Sequence, residues 1–188
     1  ETHVGVHERA GRKQDSAEGR DACRDAPDQH VHALPGIRDG VLAALRALES
    51  PKPLIRDPAD RISAIARRRT ALPKALALSW LARGFGAAAR REGLPVNDTF
   101  AGVSDFAPAA TAREFRRALI GAGRLHVVMC HPGFADGELA AIDPMTGRRQ
   151  CEFDLLMSAG GLGTEIWRPQ RAADGPPIDW FAAFGQRT

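Results

Sequence analysis

The amino-acid sequence predicts an α/β protein with a largely parallel sheet, and three observations carry the prediction. From His30 onward, short strand-like apolar patches alternate with helical ones. The run His126-Val127-Val128-Met129-Cys130 is nearly continuous in apolar residues, as strands covered on both faces are. Histidine-bearing polar motifs stand just after strand-like runs, where α/β proteins collect their chemistry.

Residues 1–27 carry only Val4, Val6 and Cys23 as sizeable apolar side chains. That is too little buried surface to offset ordering entropy. The segment is predicted to be disordered or foreign to the fold, and the domain to occupy residues 28–188. The pentapeptide Asp28-Gln29-His30-Val31-His32 opens the domain. Residues 31–34 are predicted as a short strand, and an extended chain would project Asp28, His30 and His32 to one face. A carboxylate and two imidazoles on one face suit a divalent metal or acid/base chemistry, against the plainer alternative of a solvated strand end. Val41, Leu42, Leu45 and Leu48 recur at helical spacing and predict a helix over 37–49, stopped by Ser50-Pro51-Lys52-Pro53. Residues 53–56 form the next strand candidate, with Arg56 at its end before Asp57-Pro58.

The Ala- and Leu-rich stretch 72–91 predicts one long helix with weak points at Gly84 and Gly86, ended by Gly93. Residues 98–103 read as extended. Thr111 and Glu114 have capping-box spacing, and Phe115, Ala118, Leu119 and Ala122 follow at i, i+3, i+4, i+7. A helix is therefore expected there, closed by Gly121 and Gly123. The strand over 126–130 delivers His131 into a Pro132-Gly133 turn that fixes its backbone, which suits acid/base work as well as plain strand capping. A short helix over 152–158 precedes a Gly- and Pro-rich tail.

Composition excludes several function classes. The formal net charge is only +3 over 188 residues with acids interspersed. Arg67-Arg68-Arg69 and Arg90-Arg91 thus read as solvated helix faces, and no nucleic-acid partner is expected. Cys23, Cys130 and Cys151 are odd in number and lack a C-x-x-C pair. This excludes a disulfide framework or a zinc finger and points to a reducing, cytoplasmic setting. No apolar run reaches the roughly 18 to 20 residues of a membrane span and no signal-peptide core is present, so no membrane partner is expected. A homodimer is compatible with the chain. Trp80, Trp167 and Trp180 suit a sugar-stacking surface or a core edge, and Asp136 and Asp143 read as solvated turn residues.

The segments Gln29-His30-Val31-His32-Ala33-Leu34-Pro35-Gly36-Ile37 and Met129-Cys130-His131-Pro132-Gly133-Phe134 together resemble the carbohydrate deacetylases of the YdjC family, which include chitooligosaccharide and hopanoid-associated deacetylases. Gly93-Leu94-Pro95-Val96-Asn97-Asp98, Phe100-Ala101-Gly102, Ser104-Asp105-Phe106 and residues 149–158 extend the likeness, which covers residues 28–158 and matches the C-terminal part of the family only. The resemblance implies a partial (β/α) barrel of the polysaccharide-deacetylase type with its N-terminal strands missing. It implies metal-dependent hydrolysis of N-acetyl groups on amino sugars or oligosaccharides, with magnesium or zinc as cofactor and a small carbohydrate as partner. His131 matches the family's Cys-His-Pro histidine and is implied as the catalytic acid. Asp28 and His30 are implied as metal ligands, and His32 and Arg56 as substrate contacts.

The departures are as informative. Asp28 stands where the family has a histidine, a shorter and negatively charged replacement. The family's Asn-Ala-Asp-Asp-Phe-Gly type motif, which supplies the catalytic aspartate, is absent, and Gly5-Val6-His7 matches its G-x-H segment in letters only. A barrel of this kind usually needs about 250 residues. The expectation is a hydrolase impaired in this chain, with a non-catalytic carbohydrate- or metal-binding remnant as the alternative. The compositional break at Asp28 is expected to mark an upstream truncation or a shifted reading frame.

Overall fold

The computed structural model describes residues 3–5, 30–48, 51–158, 166–167 and 179–180. Four short parallel strands form its sheet: β1 (His3–Gly5), β2 (Thr99–Ala101), β3 (Leu125–Val128) and β4 (Ile166–Trp167), in the order β2-β3-β1-β4. Thr99 pairs with His126 and Ala101 with Val128, while Val4 pairs with His126 on the other side of β3. The parallel α/β character expected from the sequence is therefore present. Among the described residues the sheet stays open and no barrel closes. β1 falls within the segment expected to lie outside the fold, and it sits between β3 and β4.

Seven α-helices flank the sheet among the described residues: α1 (Arg38–Arg46), α2 (Ile62–Arg68), α3 (Leu72–Leu81), α4 (Phe85–Arg91), α5 (Thr111–Ala118), α6 (Gly137–Ile142) and α7 (Thr146–Met157). Two apolar clusters hold them. Leu42, Phe85 and Ala89 of α1 and α4 pack with Ala33, Ile55, Leu94 and Val96. Ala101 and Val128 pack with Phe115 and Ala118 of α5, and Leu155 and Leu156 of α7 cover that cluster. A fully buried side chain such as Phe85, 0% exposed, contributes about 2 to 3 kcal/mol over leaving it in water.

Several expected elements differ. Residues 31–34 are not a strand: Val31–Ala33 is a 3-10 turn closed by Ala33 N–H donating to His30 O, so the alternation of side chains across an extended chain does not apply. The helix expected over 72–91 breaks after Leu81, where Gly84 adopts φ +82, a conformation other residues rarely take, and lets Phe85 turn into the core. The capping box does not form. Thr111 Oγ1 donates to Pro108 O, and Glu114 is drawn inward to Arg148. The last helix begins at Thr146 rather than 152, and Asp136 is no idle turn residue, because its carboxylate caps α6 by accepting from Leu139 N at 2.8 Å.

Candidate functional site

The exits of β2 and β3 bring two loops together. Gly102 sits at φ +103, and a Cβ on it would run into the backbone of Met129, so the two exits meet backbone to backbone. Met129 N donates to Ala101 O at 2.9 Å, which extends the pairing past the strand ends. Beyond Gly102 the chain turns at Phe106, held at φ +61 while its N–H donates to Ser104 Oγ at 2.8 Å. For a bulky residue that backbone is strained, a feature that gathers at functional loops. The Phe106 ring lies against His131, with centroids 5.7 Å apart.

α7 clamps the backbone of His131. Glu152 accepts from its N–H, and Arg149 Nη1 donates to its carbonyl at 3.2 Å. Glu152 in turn accepts from Arg148 Nε at 2.7 Å, and Arg148 Nη1 reaches Glu114 at 2.8 Å and Ala107 O at 3.1 Å. Glu114 also accepts from Ser104 Oγ at 2.8 Å. One buried network therefore ties both loops to α5 and α7. Charges this deep persist only when paired and hydrogen-bonded, and deleting one partner of such a set costs about 3 to 5 kcal/mol.

The 3-10 turn supplies the other histidines. His30 is 9% exposed and meets Phe100 edge-on at 5.3 Å. Burial, reinforced by the positive charge of Arg56 and by the nearby His32 and His131, pushes its pKa down to about 3, so it is neutral under ordinary conditions. Its Nδ1 is buried with no hydrogen-bond partner among the described residues. His32 Nε2 donates to Arg56 O at 2.8 Å and its ring meets Phe85 edge-on, so one imidazole nitrogen is engaged on backbone. Arg56 follows Ile55, which bridges in parallel to Val96. Of the five expected site residues, His30, His32, Arg56 and His131 thus share one electrostatic neighbourhood, and Asp28 lies outside the described residues.

Next to this group, Asp57 is pushed above the ordinary carboxylate range by burial. It is locked to Asn97, whose side chain accepts from Asp57 N at 2.7 Å and donates to Asp57 O at 3.0 Å. A pocket lies beside the clamp, lined by Phe100, Gly102, Ser104, Glu114, Met129 and Arg148, and none of the three site histidines lines it. For a divalent ion the described residues do not suffice. His30 Nδ1 is a ready donor, but no group of three His, Cys, Asp or Glu side chains converges among them.

The model of a known family, described as YdjC-like protein, matches residues 28–160. The chain belongs to the YdjC-like family. Neither the curated proteins nor the solved structures give this YdjC-like chain a match. The family match begins at Asp28 and spans His30, His32, Arg56, His131 and the α7 clamp. The clamp itself was not foreseen. Arg148 and Glu152 stand at i, i+4, a spacing that usually marks a solvated surface pair, and only their burial at 3% and 2% exposure reveals them as a support for His131.

Proposed function

We propose that the chain is a carbohydrate deacetylase-type hydrolase, directed at N-acetyl groups of amino sugars or oligosaccharides, in which binding persists and hydrolysis is impaired. The observation that carries this is the placement of the histidines at neighbouring strand exits, with His32 bonded to Arg56 O at 2.8 Å, His30 packed on Phe100 of β2, and His131 facing Phe106 beyond β3. His131 supplies a proton to the leaving amine, with Glu152 and Arg149 holding its backbone so that the ring meets substrate at a fixed place. Arg56 directs its guanidinium to a substrate oxygen. Phe106 offers an apolar ring face beside His131, as sugar sites use.

Magnesium or zinc, implied by the family likeness, would find His30 Nδ1 ready and would need further ligands from outside the described residues, Asp28 among them. A barrel-type fold and a cytoplasmic location belong to the same proposal. Acetate release from N-acetylglucosamine oligomers with added magnesium or zinc, run beside calorimetry with the same sugars, tests it. Binding heat with acetate release near blank is expected. Turnover well above blank would overturn the impairment, and absence of both binding and release would overturn the whole assignment.

A further inference from the structure

Residues 61–91 contain eight arginines and lysines and neither aspartate nor glutamate. Residues 61–81 of this stretch fold into a helical hairpin of α2 and α3, cross-tied where Ser79 Oγ donates to Asp60 O at 2.9 Å and accepts from Asp60 N at 3.1 Å. α3 is apolar along most of its length and yet has no buried residue. Leu72, Leu76 and Trp80 follow one another at i, i+4, i+8, all exposed, with Trp80 at 71%. Ile62 at the start of α2 is equally exposed at 71%. An aliphatic ridge carrying an open tryptophan is unusual on a free surface and marks an interaction site.

The charged residues of the hairpin itself are all basic. Arg61, Arg67 and Arg69 are exposed, and among the described residues none has a carboxylate partner. Arg61 Nη2 donates to Gly121 O and Arg67 Nε to Ser63 O. The nearby acid, Asp60, turns inward, where Arg68 Nη1 takes its carboxylate at 2.5 Å. Lys74 is matched by Asp105 and adds nothing net.

We propose that the α2–α3 hairpin docks on an anionic lipid surface. Leu72, Leu76, Trp80 and Ile62 enter the interfacial layer, where an indole ring is at home, and Arg61, Arg67 and Arg69 lie against lipid phosphates. Charge complementarity selects this occupant. A second copy of the chain would bring arginines against arginines, and a nucleic-acid strand would engage the arginines but leave the aliphatic ridge in water. No described helix is long and apolar enough to cross a membrane, and docking in the plane of the surface needs none. The sequence expectation of no membrane partner rested on a missing span and a missing signal-peptide core, neither of which docking in the plane of the surface requires. This surface is independent of the proposed deacetylase chemistry.

Co-sedimentation of the full chain with phosphatidylcholine vesicles, with and without phosphatidylglycerol, tests the proposal. Binding is expected to the anionic vesicles only, weakening as salt screens the arginines. Arg67→Glu with Arg69→Glu, and separately Trp80→Ala, should each weaken it at least ~10-fold. In a Trp167→Phe, Trp180→Phe variant, the fluorescence of Trp80 should shift to the blue on adding anionic vesicles, a readout that needs no change in the hairpin. Equal binding to neutral vesicles, no binding to either kind, or a dimer that Trp80→Ala dissolves would overturn the assignment.

Discussion

His126 in the sheet and His30 in the 3-10 turn are both buried imidazoles held neutral, and they differ in what their nitrogens meet. His126 Nε2 donates to Ala118 O at 3.0 Å, and its Nδ1 lies 2.7 Å from Thr99 Oγ1, which also accepts from Gly123 N. Desolvation lowers its pKa to about 4, and both nitrogens are satisfied. His30 is lowered further, to about 3, and its Nδ1 is left without a partner among the described residues. A satisfied buried imidazole is a piece of the core. One whose nitrogen has no partner among the described residues carries a desolvation cost where it sits and is open to a ligand.

The largest effect that would break this contrast is His126→Ala. It removes two buried hydrogen bonds and opens a cavity against β2 and α5, so a loss of about 3 to 5 kcal/mol is expected in urea unfolding. A small loss would return His126 to the same class as His30. Acid sharpens the comparison next. Both folded pKa values lie below the ordinary 6.5, so the unfolded chain takes up protons that the folded chain refuses. The stability this gives is complete above pH 6.5 and is lost as pH falls through the window down to about 4 for His126 and about 3 for His30. Two such groups give a slope approaching about 2.7 kcal/mol per pH unit, with Asp57, raised by burial, working in the opposite direction. Unfolding curves recorded from neutral pH to pH 5 read the slope, and His30→Gln should reduce it.

Thr99→Val is smaller. It strands His126 Nδ1 and Gly123 N, for about 2 kcal/mol by the same unfolding measurement. The smallest expected change is His30→Leu, within about 1 kcal/mol, because no described partner is lost. That variant should nevertheless lose the sugar binding that the proposed function expects, as calorimetry would read it. If it instead destabilised the chain as much as His126→Ala, His30 would be a core residue and the candidate site would lose its centre.

The apolar spacing along α5 and the continuous run of β3 were legible in the sequence, because each depends on one local periodicity. That both histidine-bearing segments stand near strand ends was also an expectation of the sequence, and the first of them takes a different local form. Asp28-Gln29-His30-Val31-His32 reads as alternating only if extended, whereas Pro35 and Gly36, with φ +87, follow a chain already wound into a 3-10 turn. α2 escaped notice because Ile62-Ser63-Ala64-Ile65-Ala66-Arg67-Arg68 is short and ends in arginines, which look solvated until Arg68 is seen bonding Phe100 O and Ile120 O inside the fold. The clamp under His131 was illegible for a related reason. Glu114 and Arg148 are 34 residues apart, and no local pattern tells a carboxylate at capping-box spacing to face inward instead.

Gly102 leaves no room for a side chain between the exits of β2 and β3. The spacing of these two exits is therefore set by main chain alone, and no choice of residue at Gly102 can widen or narrow it by small steps. Changes at Phe106 or in the loop that follows His131 alter what the two exits present, but the jaw between them keeps a fixed hinge width.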